Sequence, residues 1–246
     1  MIRILLSGAT GRVGREIARL VDADTQLEIL GSASSDAFFD ANGSADVLID
    51  FSRPELTGRC LDLALDQCLP MVLGTTGLPS ELQSEIDAAA QQIPICQAAN
   101  FSIGVNLLLA LVERAAAGLP KSFDIEIAEI HHRWKVDAPS GTALALGRAA
   151  ASARGQERDR VAAIRGDGAR VADRIGYQVS RGGDVAGEHS VMFLGDGERL
   201  ELTHRATDRA IFARGALHAA RWLVGRPPGL YSMQDVIAAA GSHGMR

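Results

Sequence analysis

The sequence predicts an α/β protein in two parts: a Rossmann-like, doubly wound parallel sheet, then a smaller α+β domain with a mixed sheet. Three observations carry this. Short apolar runs alternate with amphipathic stretches over about the first 100 residues, which is the pattern of repeated βαβ units. The run at 46–51 is apolar at successive positions between acidic residues, as in a strand buried on both faces of a parallel sheet. Beyond residue 160 several strand-like segments follow one another with glycine turns and no helix between them.

The elements follow in order. Residues 3–7 read as a strand. A helix at 12–21 places Val13, Ile17, Leu20 and Val21 on one face. Strands are expected at 27–33 and 46–51, and Pro54 opens a helix in its first turn. Strand 71–73 ends in Gly74-Thr75-Thr76-Gly77. A helix carrying Leu82, Ile86 and Ala89 precedes strand 93–98. A long apolar helix spans 103–117, a strand 124–130 and an Ala- and Leu-rich helix 142–154. Strands within 161–205 turn at Gly166-Asp167-Gly168, Gly182-Gly183 and Gly195-Asp196-Gly197. Helices return at 213–223 and 233–240. The expected division is a first domain of residues 1–102 and 216–246 and a second of 103–215.

Composition narrows the function. The chain has 246 residues, 47% hydrophobic and 22% charged, an ordinary globular balance long enough to bury a core without disulfides. Its net charge of -5 disfavours nucleic acid as a partner, while a local cluster of donors still suits a small anion. Cys60, Cys68 and Cys96 form no CxxC pair, and their odd number fits a reducing compartment. No apolar run reaches the ~20 residues of a membrane span, so a soluble, cytoplasmic protein without a membrane partner is expected. Lys121 and Lys135 are the only lysines among 25 basic residues. A lysine in so Arg-rich a chain points weakly to a need for an ammonium that can release a proton.

Gly8, Gly11 and Gly14 recur at every third position between a strand and a helix. Such a turn lets the backbone approach a pyrophosphate, and the helix start offers N–H donors and the positive end of its dipole. The cofactor's ribose is read after the second strand. There Asp36 favours a free 2′-hydroxyl, whereas Ser34 and Ser35 with Arg12 suit a 2′-phosphate, so NADH and NADPH both stay open. The loops at Gly74-Thr75-Thr76 and Ala98-Ala99-Asn100-Phe101 end further strands on the same carboxyl edge.

The segment from His131 to Thr142 is the densest in chemistry. His131, His132, Arg133 and Lys135 stand together at a strand end, and Ser140 follows Pro139 as an N-cap. The N–H groups of Gly141 and Thr142 then suit a carboxylate, and a histidine suits general acid work. No third ligand is spaced nearby for a metal, so none is expected. Trp134 packs as a lid or anchors the loop. His189, His204, His218 and His243 are scattered and read as structural or surface residues.

The sequence resembles the 4-hydroxy-tetrahydrodipicolinate (dihydrodipicolinate) reductase family of lysine and diaminopimelate biosynthesis. The carriers are GATGRVG (8–14), DVLIDFSRP (46–54), GTTG (74–77), AANFSIGVN (98–106) and EIAEIHHRWKVDAPSGTAL (126–144). RGGDVAGEHSVMF (181–193), ERLELTHRATDRAIFARGAL (198–217) and GLYSMQDVI (229–237) continue it. The resemblance implies an oxidoreductase that reduces a cyclic dicarboxylate with NADH or NADPH, and a homotetramer built through the mixed sheets. It implies His131 as acid/base residue, Lys135 as proton donor, His132 on substrate, and Gly141 and Thr142 on a carboxylate. Gly8, Ala9, Thr10, Gly11, Arg12, Val13, Gly74, Thr75, Thr76, Ala98, Ala99, Asn100 and Phe101 would line the dinucleotide, with Ser35 and Asp36 at the ribose. The chain departs from the family in a short segment before Asp46, in Ser35-Asp36 in place of an acidic–basic pair, and in Trp134 in place of a histidine. Two other readings compete: another two-domain NAD(P)-dependent imine or semialdehyde reductase, and a non-catalytic dinucleotide sensor. A semialdehyde dehydrogenase needs a nucleophilic Cys in its substrate domain, but all three cysteines precede residue 100.

Overall fold

The structure is a computed structural model that describes residues 1–34, 38–39, 44–156, 163–164 and 168–241. The chain divides into two compact units, Met1–Ile103 with Arg209–Arg246, and Gly104–Asp208.

The first unit is built on β1 (Ile2–Ser7), α1 (Arg12–Asp22), β2 (Leu27–Ala33), β3 (Val47–Asp50), α2 (Pro54–Asp66), β4 (Met71–Leu73), α3 (Ser80–Ala89) and β5 (Pro94–Gln97). All four residues of β3 and all three of β4 are buried, as the apolar run at 46–51 predicts for a two-faced sheet. After the second unit the chain returns with α6 (Ala210–Leu223), β11 (Gly229–Tyr231) and α7 (Met233–Gly241). The return comes at Arg209, so the whole of α6 belongs here and not only its part from Ala216. Its face of Ala213, Ala216, Leu217, Ala220 and Leu223 packs into one core with Ile4, Leu6, Ile49 and Val72. Each large aliphatic side chain buried there contributes about 1.5–3 kcal/mol.

The sheet has six parallel strands in the order β11-β5-β4-β3-β1-β2. Sequence periodicity misses β11. It is a three-residue edge strand just after Pro227-Pro228, too short for a pattern, and only its pairing with β5 defines it.

The second unit starts with most of α4 (Ile103–Gly118), then β6 (Asp124–His131) and α5 (Gly141–Ala153). It continues with β7 (Ala163–Ile164), β8 (Gly176–Arg181), β9 (Gly187–Leu194) and β10 (Arg199–Ala206). The sheet order is β10-β9-β6-β8-β7. β9 pairs antiparallel with β6 and β10, while β6, β8 and β7 run parallel, so the sheet is mixed as expected. Leu108 and Val112 of α4 and Leu146 and Ala150 of α5 pack on Ile125, Ile127, Tyr177, Val191 and Phe193. β9 alternates buried and part-buried residues along its whole length, the period of a sheet with one covered face. Of the glycine turns, Gly182-Gly183 and Gly195-Asp196-Gly197 join β8 to β9 and β9 to β10; Gly166 and Asp167 lie outside the described residues.

Candidate active site

The glycine turn occupies the carboxyl end of β1. Gly8 has φ +80°, and a Cβ on it would stand 2.2 Å from the Phe51 carbonyl oxygen. A Cβ on Gly14 would stand 2.1 Å from the Gly8 carbonyl oxygen. Both glycines are therefore required by backbone packing alone. Gly11 differs: its φ is -73°, and a Cβ there meets nothing closer than 3.1 Å. It is the N-cap of α1, has no side chain to satisfy the helix's first N–H groups, and no acidic residue follows in the first turn. This start suits an anion.

Two cavities flank the turn. One, of about 540 Å³, is lined by Gly8, Thr10, Gly11, Ser34, Arg53 and Arg59 among others. The second, of about 270 Å³, is lined by Arg12, Val13, Arg53, Gly74, Thr75 and Thr76 among others. The uncapped helix start beside these cavities fits the pyrophosphate of a dinucleotide. Ser35 and Asp36 lie outside the described residues. Ala9 and Ala98 pack against the core. Asn100 accepts from the Ser102 N–H through Oδ1 at 2.8 Å and so shapes its own turn. Phe101 is buried, with its ring edge-on to Phe51 at 5.2 Å; neither it nor Ala99 lines either cavity.

Sequence reasoning missed Asp50, at the end of β3. It is fully buried, and its carboxylate accepts from Thr57 Oγ1 at 2.6 Å, Thr75 Oγ1 at 2.8 Å and Ser52 Oγ. Thr75 Oγ1 in turn accepts from the Ser52 N–H at 2.9 Å. One carboxylate thus ties together the loops after β3 and β4 and the first turn of α2. Thr75 is a strut of this network, whereas exposed Thr76 faces the cavity.

In the second unit, Glu129 and His131 stand two apart on β6 and share a face. Glu129 is 1% exposed and His131 8%. His131 Nδ1 lies 2.9 Å from Glu129 Oε2. Register brings Arg181 of β8 beside His131, and His189 of β9 beside Glu129. Arg181 donates to Glu129 Oε1 at 3.1 Å and to the Asp137 carbonyl. His189 packs edge-on against His131, ring centroids 5.0 Å apart, with its Nε2 3.1 Å from Ser140 Oγ. Burial alone would raise the Glu129 carboxyl. Hydrogen bonds from His131, the Ser140 N–H and Arg181 outweigh it and hold the group at about 2. Burial, aided by the charge of His131, pushes His189 down to about 4, so it is neutral near pH 7.

No third ligand is spaced near His131 along the chain, but folding supplies partners from distant strands. Glu129, His131 and His189 bring one donor atom each within 4.8 Å of one another. Arg181 occupies the other oxygen of this carboxylate, and Arg181 and Lys135 offset the Glu129 and Asp137 carboxylates, so the cluster has no surplus negative charge to attract a cation. It serves better to hold protons than to hold a second cation.

Ser140 caps α5 as expected. Its Oγ accepts from the Ala143 N–H at 3.2 Å, and its own N–H donates to Glu129 Oε1 at 2.9 Å. The start of α5, with Gly141 and Thr142, is thereby bolted to the His131 cluster, and no acidic residue sits in its first turn. Lys135 Nζ pairs with Asp137 Oδ1 at 2.8 Å; that bond holds the Asp137 carboxyl below its usual range. His132 is half-buried beside the exposed Trp134, ring centroids 5.9 Å apart, with Arg133 on the same indole, so Trp134 stands as an outward loop residue.

A parallel sheet with a glycine turn, joined to a mixed-sheet unit carrying a buried acid–base cluster, defines a two-unit, dinucleotide-dependent oxidoreductase. Comparison with known proteins gives the particular family. Residues 2–101 match the model for the N-terminus of dihydrodipicolinate reductase, and residues 104–237 that for its C-terminus. A 4-hydroxy-tetrahydrodipicolinate reductase of Thiobacillus denitrificans is 43% identical over 96% of this chain and 98% of its own. One of Pseudomonas fluorescens is 46% identical over 96% and 91%. The dipicolinate-bound dihydrodipicolinate reductase of Paenisporosarcina sp. TG-14 has the same fold, with a TM-score of 0.76 at 23% identity over 94% of this chain and 97% of that one. The chain belongs to the dihydrodipicolinate reductase family and is an NAD(P)H-dependent oxidoreductase.

Proposed function

We infer that this chain reduces 4-hydroxy-tetrahydrodipicolinate to tetrahydrodipicolinate with NADH or NADPH, in lysine and diaminopimelate biosynthesis. The buried Glu129–His131–His189–Ser140 cluster at the start of α5 carries the reading: it sets a proton-holding group beside an anion-binding helix end. The bound nicotinamide supplies the hydride. The uncapped start of α1 at Gly11 holds the pyrophosphate, with Gly8, Ala9, Thr10, Arg12 and Val13 around it. Gly74, Thr75 and Thr76, with Ala98, Ala99, Asn100 and Phe101, complete the cofactor site. In the second unit, Gly141 and Thr142 hold one substrate carboxylate and His132 contacts the ring.

Glu129 Oε2 keeps a proton on His131 Nδ1 and so fixes the ring's orientation, leaving Nε2 as the atom that exchanges protons with substrate. The 4-hydroxyl leaves as water, the hydride adds to the dehydrated ring, and Lys135 Nζ donates the proton that completes reduction; Asp137 holds Lys135 in place until substrate arrives. The reading also includes a cytoplasmic homotetramer joined through the second sheet, whose uncovered side carries the exposed Ile130. Among the described residues no helix is long and apolar enough to cross a membrane.

The test is a coupled assay. Aspartate semialdehyde and pyruvate are condensed enzymatically, and loss of absorbance at the reduced nicotinamide band is followed on adding the protein. Turnover is expected, and its absence with a dinucleotide-binding protein would leave the sensor reading. His131→Ala should lower kcat by about 10²–10⁴ while calorimetry shows unchanged dinucleotide affinity. Lys135→Arg should also fail, because guanidinium keeps its proton. Near wild-type kcat in that variant would reduce Lys135 to a charge.

A further inference from the structure

We propose that Arg59, on α2, is the residue that reads the adenosine 2′-phosphate, so that this chain selects NADPH through a helix side chain and not through Arg12. The proposal rests on the cofactor reading above. The ribose of a dinucleotide is recognised beyond the end of β2, and Ser34 stands there, immediately after Ala33. Ser34 lines the larger cavity together with Thr10, Gly11 and Arg59. Arg12 lines the other one, beside Gly74, Thr75 and Thr76. From sequence, Arg12 is the natural cation for a 2′-phosphate, but it lines the cavity that lacks Ser34.

Arg59 is better prepared for the task. Its guanidinium carbon sits 4.1 Å from the centroid of the Phe38 ring. That contact holds the guanidinium beside the cavity, and its planar fork of N–H donors matches phosphate oxygens. Arg53 lines both cavities, which suits it to the pyrophosphate common to both cofactors and gives it no power to discriminate. Glu55 also lines the larger cavity, so a cation there must offset a carboxylate before it can attract a phosphate.

The experiment is calorimetric titration of the full chain with NADPH and with NADH, for the wild type, Arg59→Met, Arg59→Lys and Arg12→Met. Arg59→Met should weaken NADPH by about 10–100-fold, the worth of charge-assisted hydrogen bonds, and NADH by less than ~3-fold. Arg59→Lys keeps the charge without the fork and should fall between. Arg12→Met should weaken both cofactors alike. The proposal is overturned if Arg59→Met leaves the NADPH-to-NADH affinity ratio unchanged, whether both weaken or neither does, or if Arg12→Met alone removes the selectivity. A wild type that binds neither dinucleotide would instead sink the cofactor reading, and this proposal with it. Circular dichroism melts check that each variant is folded, and Arg59→Lys carries the comparison if Arg59→Met is not.

Discussion

The two sheets build their sites by different means. In the first unit the working surface is backbone: a glycine turn, an uncapped helix start and loops at the ends of parallel strands. Side chains there brace the loops, as Asp50 does for Ser52, Thr57 and Thr75. In the second unit the working surface is side chains gathered across strands. Glu129 and His131 come from β6, Arg181 from β8 and His189 from β9, with Ser140 locking a helix end onto them. A parallel sheet buried on both faces has little room for polar groups, so its chemistry moves to the strand ends. A mixed sheet offers cross-strand neighbours on one face, so a polar cluster can be assembled within the sheet.

The largest effect that separates the two is expected at Glu129. Glu129→Gln leaves Arg181 and the histidine cluster without their shared anion, and removing one partner of a buried pair costs about 3–5 kcal/mol. Urea unfolding measures this, and a cost under ~1 kcal/mol would show that the cluster is not a network. The pH dependence has a definite sign. The Glu129 carboxyl is held below its ordinary 4.5, so the native state binds fewer protons than the unfolded one. The stability it contributes is complete above that value and is lost as pH falls toward about 2. His189, depressed from 6.5 to about 4, acts with the same sign in the window above, so stability declines from pH 6.5 downward. Glu129→Gln should flatten the lower part of this decline and, by removing a carboxylate that raises His189, carry the His189 part to lower pH.

Next comes the glycine turn. Gly14→Ala forces a Cβ into the Gly8 carbonyl and should destabilise by about 1–3 kcal/mol or more. Gly11→Ala has nothing nearer than 3.1 Å and should fold, yet crowd the anion-binding helix start. Calorimetry on Gly11→Val, whose branches reach further, should show weakened dinucleotide binding in a folded protein. Unchanged affinity would break the assignment of this turn to the pyrophosphate.

The smallest effect is at the N-cap. Ser140→Ala removes the bond to the Ala143 N–H and should cost about 1 kcal/mol. Because Ser140 Oγ also meets His189, the loss should lie at the upper end of the capping range, and thermal denaturation can read it. A loss no larger than that of an ordinary exposed cap would detach α5 from the histidine cluster.

What was legible in the sequence was local. The apolar runs and 3.6-residue periods placed β1 to β6 and the helices of the described residues within a few residues, because those patterns are read from neighbours in the chain. Glycine spacing marked the turn after β1, and residue density marked the segment from His131 to Thr142 that holds the Ser140 cap. Glu129 was passed over, although its place two residues before His131 on one strand face is a signal that could have found it. Tertiary structure alone decided the rest. The pairing register of β6 with β8 and β9 joins Arg181 and His189 to His131 across fifty residues or more, and register depends on how whole strands dock. The three-residue β11 exists only through its pairing with β5. That Ser34 shares a cavity with Arg59 and not with Arg12 is likewise a matter of how the elements pack. Sequence determines which residues the chain carries and what each segment prefers locally; folding decides which distant side chains meet, because that contact is a property of packing and not of spacing.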